Sequence, residues 1–155
     1  MATRARIGIE LTTGKVVSSY CHYDGYPAGL GFNLVENYSD RSKLQQAIEL
    51  GDASTWAEEI GEKVSFEDRE AREFQNIYYG RDRGEANTEA VTFDNIDEFM
   101  SEYDMAGEEY AYVLTLDGLW VMNARYRKMT HWDAEFEIRQ TRERLEEKMK
   151  KALAN

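Results

Sequence analysis

The sequence predicts a single α+β domain, with two β-hairpins and one or two short strands in an antiparallel sheet and helices on one face. Two observations support this prediction. Apolar and polar residues alternate on both sides of short turns, and apolar residues recur at helical spacing between them. A chain of 155 residues with 42% hydrophobic residues can bury its own core. We predict a domain over residues 1–127 and a C-terminal helix over residues 128–155.

The two hairpins have the clearest local pattern. Residues 6–11 alternate, a turn containing Gly14 follows, and residues 16–23 return as the second strand. The second hairpin spans residues 109–124, where the Asp117-Gly118 pair separates two alternating apolar runs. An Asp-Gly pair in this position is typical of a tight hairpin turn.

Three helices are predicted between the hairpins. The first follows the break at residues 24–27 and carries apolar side chains at helical spacing. The second is capped by Ser39 or Asp40 and ends before Gly51, which suits a helix C-terminus. The third is capped by Asp94.

The middle of the chain has weaker patterns. Polar residues at 52–55 predict a capped turn, and those at 65–68 predict the start of a short polar helix. The alternative for this region is a mobile insertion. Residues 75–79 and 90–93 predict short strands.

The C-terminal segment predicts a long amphipathic helix, with Ile138, Leu145 and Met149 on one face. Such a stripe must be buried against something, so these residues are a candidate homodimer interface. The alternative is that Trp132 and Phe136 dock the helix on its own domain.

Composition limits the possible partners. The net charge is −11, and residues 34–124 carry 22 acidic but only seven basic side chains. This balance argues against direct binding to duplex nucleic acid, which requires clustered Lys and Arg. Simple solubility and an acidic surface that imitates nucleic acid both remain open. No apolar run is long enough to cross a membrane, and the single Cys21 allows no internal disulfide, so we expect a cytoplasmic protein.

Two segments contain more Gly, aromatic and charged residues than a core requires, namely residues 20–31 and 78–85. Shaped polar loops beside strands are the usual place for binding sites, so we expect the two segments to be neighbours in one site. The candidate ligand-binding residues are Tyr23, Asp24, Tyr26, Tyr79, Arg81, Asp82 and Arg83.

The residue types in these segments favour an anionic, flat ligand. In an extended segment Arg81 and Arg83 point the same way, and guanidinium groups suit phosphate or carboxylate. The tyrosines offer flat surfaces for a base or a sugar. The alternative is structural, with Asp24, Asp82 or Glu85 pairing with the arginines and locking the loops together.

Catalysis and metal binding have little support. The chain contains one cysteine, two histidines and none of the common metal-binding motifs, so we expect no metal and no cofactor. The one catalytic arrangement we can propose pairs His22 with Asp24 or Asp82, and no spacing demands it. Whether the protein is an enzyme stays open, with a binding role favoured.

Five segments of the chain carry a resemblance to known proteins, namely residues 20–26, 29–31, 50–52, 79–85 and 117–121. The most specific of them is Tyr-Gly-Arg-Asp-Arg-Gly-Glu. With these segments the chain resembles a family of uncharacterised small proteins encoded by tailed bacteriophages, over roughly residues 3–122. The resemblance implies a phage protein expressed in the cytosol of an infected bacterium, with a helix added at the C-terminus. It supplies no catalytic residues.

Taken with this resemblance, the sequence predicts a non-enzymatic accessory protein that antagonises a host process such as antiviral defence. Its expected partner is a host protein or a nucleotide-like small molecule, which a Tyr- and Arg-rich site would sequester. One alternative is an acidic nucleic-acid mimic that occupies a host protein. Another is a small hydrolase acting on a nucleotide or an amide.

Overall fold

The first hairpin forms the centre of the sheet. A computed structural model describes residues 2–124 of the chain. In it, β1 (Ala5–Glu10) pairs antiparallel with β2 (Val16–Cys21), with Ala5 opposite Cys21. Gly14 takes the positive φ of 87° that the turn requires. The predicted hairpin is confirmed.

The second hairpin is also confirmed, and it joins the first by parallel pairing. Strands β6 (Tyr110–Leu114) and β7 (Trp120–Ala124) are antiparallel to each other. However, β6 runs parallel to β1, with Ala5 opposite Tyr110. The prediction of an antiparallel sheet is therefore wrong. The long connection from β2 brings the chain back to the free edge of β1 in the direction of β1, which no local pattern encodes.

Three short strands extend the sheet. They are β3 (Ala53–Thr55), β4 (Ile77–Tyr78) and β5 (Val91–Phe93). The strand order is β4-β3-β2-β1-β6-β7, and β5 pairs with the first half of β2. The capped turn predicted at residues 52–55 is wrong. Ala53, Ser54 and Thr55 are all buried, and pairing with both neighbouring strands outweighs their polar composition.

The helical segments are a π-helical turn (Pro27–Gly31), α1 (Phe32–Asn37), α2 (Arg41–Glu49), a 3-10 turn (Ala71–Glu73), α3 (Tyr79–Arg83) and α4 (Ile96–Glu102). Asp40 caps α2 as predicted, because its carboxylate accepts a hydrogen bond from the Ser42 amide. Asn95, not Asp94, caps α4. Residues 65–68 form a turn, and the short helix begins only at Ala71.

Helices cover both faces of the sheet. Alternation along β1 sends the side chains of Ile7 and Gly8 to opposite faces. Tyr112, opposite Ile7, faces the backbone entering α1, where a Cβ on Gly31 would lie 3.1 Å from its ring. A Cβ on Gly8 would instead lie 3.2 Å from the Phe99 ring of α4. The prediction of helices on one face is therefore wrong, because helical periodicity does not specify which face a helix covers.

The described residues form one α+β domain, as predicted. No helix within residues 2–124 is long and apolar enough to span a membrane. The boundary at residue 127, the helix over residues 128–155 and the interface residues Ile138, Leu145 and Met149 lie outside the described part of the chain.

Candidate functional site

A cavity of about 310 Å³ opens beside the end of β2. One wall is the loop that follows β2, with Tyr23, Asp24 and Tyr26. The opposite wall is the segment that follows β3, with Trp56 and the neighbouring residues to Glu58. Asn33 of α1 and the Arg72-Glu73 turn complete the lining.

The loop that forms the first wall is anchored by contacts with residues outside the loop. The Gly25 amide donates to the Thr3 carbonyl at 2.8 Å, and the Tyr112 hydroxyl donates to the Gly25 carbonyl at 2.7 Å. A Cβ on Gly25 would lie 2.7 Å from both the Ala5 Cβ and the Thr3 oxygen, so only glycine fits there. Asp24 adopts a left-handed backbone with φ of 59°. The loop is thus shaped before any ligand arrives.

The opposite wall is equally fixed. The Asn33 side chain donates to the Ala57 carbonyl at 2.9 Å, and the Tyr38 hydroxyl donates to the same oxygen at 2.8 Å. The Ala57 amide donates to Oδ1 of Asn76. The Trp56 ring packs against Tyr38 with 4.9 Å between ring centroids. Contacts with side chains of the domain therefore hold both walls in place.

Two residues of the cavity lining each carry a buried N–H donor that has no partner among the described residues. The donors are Nε1 of Trp56 and Nε of Arg72, both buried. Trp56 is only 7% exposed, and an indole N–H cannot act as an acceptor. A buried donor without a partner costs free energy, so such groups are rare and need an explanation. A ligand that supplies acceptor atoms would provide one.

The rim of the cavity carries exposed aromatic rings. Tyr23 is 40% exposed and Tyr26 is 41% exposed. The His22 ring packs edge-on against Tyr23, with 4.5 Å between centroids. Exposed tyrosines beside a polar cavity suit a flat ligand, because the ring gives contact area at low entropic cost.

The second predicted segment has a different backbone from the one expected. Residues Tyr79–Arg83 form the short helix α3, not an extended loop. Side chains two residues apart on a helix point in different directions. The prediction that Arg81 and Arg83 face one ligand is therefore wrong in its geometry.

Arg81 and Asp82 serve the fold in this structure. Arg81 donates to the carbonyls of Ile60, Gly61 and Asn76 and also to Asp82. Asp82 is buried and accepts from the Tyr78 amide at 2.8 Å and the Val64 amide at 3.1 Å. These contacts tie α3 to the 60–64 loop and favour the structural alternative for this pair.

Arg83 and Tyr79 form a separate surface cluster. The Arg83 guanidinium lies 4.5 Å from the Phe66 ring centroid and 5.0 Å from that of Tyr79, and it pairs with Glu85. Burial raises the pKa of Tyr79, so its phenol stays protonated. Neither residue lines the cavity.

The two predicted segments flank strand β3. The Tyr23 amide donates to the Ser54 carbonyl, and the Tyr79 amide donates to the Asp52 carbonyl. Of the predicted ligand-binding residues, Tyr23, Asp24 and Tyr26 line the cavity, whereas Tyr79, Arg81, Asp82 and Arg83 do not. The structure therefore gives only the first segment a place in this site.

The predicted catalytic arrangement does not form with Asp82. The Tyr20 hydroxyl lies 2.6 Å from Nδ1 of His22, and both Asp82 oxygens accept bonds from other groups. Burial and the nearby Arg4 lower the pKa of His22, which favours its neutral form. Burial raises the pKa of Cys21 to about 12, which removes it as a nucleophile. Within residues 2–124 no cluster of three metal-ligating side chains occurs.

Sequence reasoning missed Asn33, Trp56, Glu58, Arg72 and Glu73. Trp56 gave only the signal of a core residue, and Arg72 lies in a charged stretch without periodicity. No protein-family model, curated protein or solved structure matches this chain. The evidence for a function is therefore the geometry of the cavity itself.

Proposed function

We propose that this protein binds a small nucleotide-like molecule in the cavity beside Tyr23 and Tyr26, and that it acts by binding rather than by catalysis. The observation that carries the proposal is that two residues of the lining hold buried N–H donors without a partner, Trp56 Nε1 and Arg72 Nε. A ligand with ring nitrogen or carbonyl acceptors would pair with them after a small shift of either side chain.

Size and shape support the same class of ligand. About 310 Å³ lies at the lower end of small-molecule cavities. Tyr23 and Tyr26 offer rings on which a base can stack, and Asn33 adds an amide to the lining. The anchored walls reduce the entropy lost on binding, because little of the loop needs to be ordered.

The resemblance to phage proteins suggests a biological role for this binding. A phage protein that removes a nucleotide-like signal from the host cytosol would antagonise a process that depends on that signal, such as antiviral defence. The acidic composition of residues 34–124 keeps the nucleic-acid mimic as a second candidate. His22 pairs with Tyr20 and does not line the cavity, so a hydrolase would have to use a carboxylate of the lining, Asp24, Glu58 or Glu73, as its base.

The test is calorimetric titration of the full chain with nucleobases, nucleosides and nucleotides, followed by thermal melts. A ligand at 100 times its Kd should stabilise the protein by about 2.7 kcal/mol. Trp56→Phe removes the indole N–H and should weaken binding about tenfold. Arg83→Gln, which lies outside the cavity, is the matched control and should bind like the wild type.

Two outcomes would contradict the proposal. If no compound of these classes binds, the cavity does not have this function. If a bound compound is recovered chemically changed, the protein is an enzyme instead. Mass spectrometry of small molecules released from protein purified out of infected cells identifies the natural ligand.

A further inference from the structure

We infer that the ligand of this cavity is an uncharged base or nucleoside rather than a phosphorylated nucleotide. This inference rests on the proposed function and narrows its ligand class. The lining carries three carboxylates, Asp24, Glu58 and Glu73, against a single guanidinium, Arg72. A dianionic phosphate in this space would meet more negative than positive charge.

The positions of these charges strengthen the argument. Asp24, Glu58 and Glu73 are exposed, whereas Arg72 is half-buried, and its Nη2 donates to the Phe66 carbonyl at 3.4 Å. The three carboxylates are therefore the more accessible charges of the lining. A phosphate in this cavity meets three exposed negative groups and one less accessible guanidinium.

Arg81 and Arg83 do not reverse this balance. Arg81 is held by the carbonyls of Ile60, Gly61 and Asn76 and by Asp82. Arg83 lies over Phe66 and Tyr79, outside the cavity. Among the described residues, Arg72 is thus the cation in the lining.

The same groups complement an uncharged nucleoside. Acceptor atoms of a base match the N–H donors of Trp56 and Arg72. Ribose hydroxyls and exocyclic amines are donors, and exposed carboxylates accept from them in charge-assisted hydrogen bonds. A ligand whose acceptor atoms contact Trp56 and Arg72, and whose donor atoms contact the carboxylates, therefore forms hydrogen bonds with both groups of residues.

The experiment compares each nucleoside with its own 5′-monophosphate by calorimetric titration of the full chain. We expect the nucleoside to bind at least about tenfold more tightly, and the difference to shrink at about 0.5 M salt because surface repulsion is screened. The variant Glu58→Gln/Glu73→Gln removes two exposed charges without changing side-chain size. This variant should reduce the ratio of nucleoside affinity to monophosphate affinity at least about threefold.

Glu102→Gln is the control, because this exposed residue lies on α4, which packs on the other face of the sheet. It should leave the difference unchanged. A monophosphate that binds as tightly as its nucleoside, or more tightly, overturns the inference while leaving the proposed function intact. Absence of binding by both members of every pair overturns the proposed function itself.

Discussion

At the scale of single residues, Arg6 and Glu108 show how a few side chains set the arrangement of the sheet. Nε of Arg6 lies 2.7 Å from Glu108, with side-chain exposures of 4% and 0%. Arg6 also donates to Ser18, and Glu108 accepts from the Ala106 amide. The pair links β1 and β2 to the segment that enters β6. It therefore lies where the second hairpin docks on the first.

Glu108→Gln should destabilise the domain by about 3 kcal/mol, because it leaves a buried guanidinium without its counter-charge. The double variant Arg6→Met/Glu108→Leu should lose less unfolding free energy, because apolar side chains remove the cost of burying both charges. Urea unfolding of the three proteins measures these differences. A single-variant loss below about 1 kcal/mol, in the range of exposed ion pairs, would mean that the pair is not the buried contact described.

At the scale of elements, α3 acts as a brace rather than as a binding loop. It has five residues, and isolated helices of that length are not stable alone. Asp82 holds it by accepting from the Tyr78 and Val64 amides, and the Arg81 guanidinium lies 4.8 Å from the Tyr78 ring centroid. The brace fixes the 60–64 loop against β4.

Asp82→Ala should cost about 3 kcal/mol, because two amides and the Arg81 guanidinium lose a buried partner. Arg83→Ala should cost less than about 1 kcal/mol, since its pair with Glu85 is exposed. Thermal melts of the two variants make the comparison. Equal losses, or a larger loss for Arg83→Ala, would show that α3 is not held through Asp82.

The contrast between hairpins and short elements shows what the sequence encodes locally. Alternation and the Asp117-Gly118 pair specify the hairpins within a few residues of chain, so both were predictable. Strand β3 pairs with β2 and β4, which are distant in sequence: Cys21 is opposite Ala53, and Tyr78 is opposite Ala53 on the other side. Its own residues resemble a turn. Tertiary pairing decides such cases.

The same distinction holds for the candidate site. Tyr23, Asp24 and Tyr26 lie in a segment whose glycines, proline and aromatic residues mark a shaped loop. Trp56 and Arg72 join them only because β3 and the 71–73 turn fold back beside that loop. No spacing in the sequence encodes this approach. The prediction for Arg81 and Arg83 assumed an extended backbone, whereas both residues lie in the helix α3.

At the scale of the whole molecule, the parallel contact between β1 and β6 joins two locally specified hairpins into one sheet. β1 therefore has a neighbour on each edge, β2 and β6. Its apolar residues Ala5, Ile7 and Ile9 are fully buried in a core cluster that also includes Tyr112 and Leu114. Within residues 2–124 the sheet has seven strands, and the last of them, β7, ends at Ala124.

Truncation after Arg127 should therefore leave a folded domain, with unfolding stability within about 1 kcal/mol of the full chain, or about 3 °C in Tm. If Ile138, Leu145 and Met149 form a dimer interface, as their spacing predicts, the truncated chain should also show a lower oligomeric state by light scattering. Exposure of the stripe to water in a monomer is unfavourable, so a second copy is its expected partner. A truncated chain that does not fold would place the C-terminal segment in the core. A folded truncated chain with an unchanged number of subunits would show that the stripe docks on its own domain.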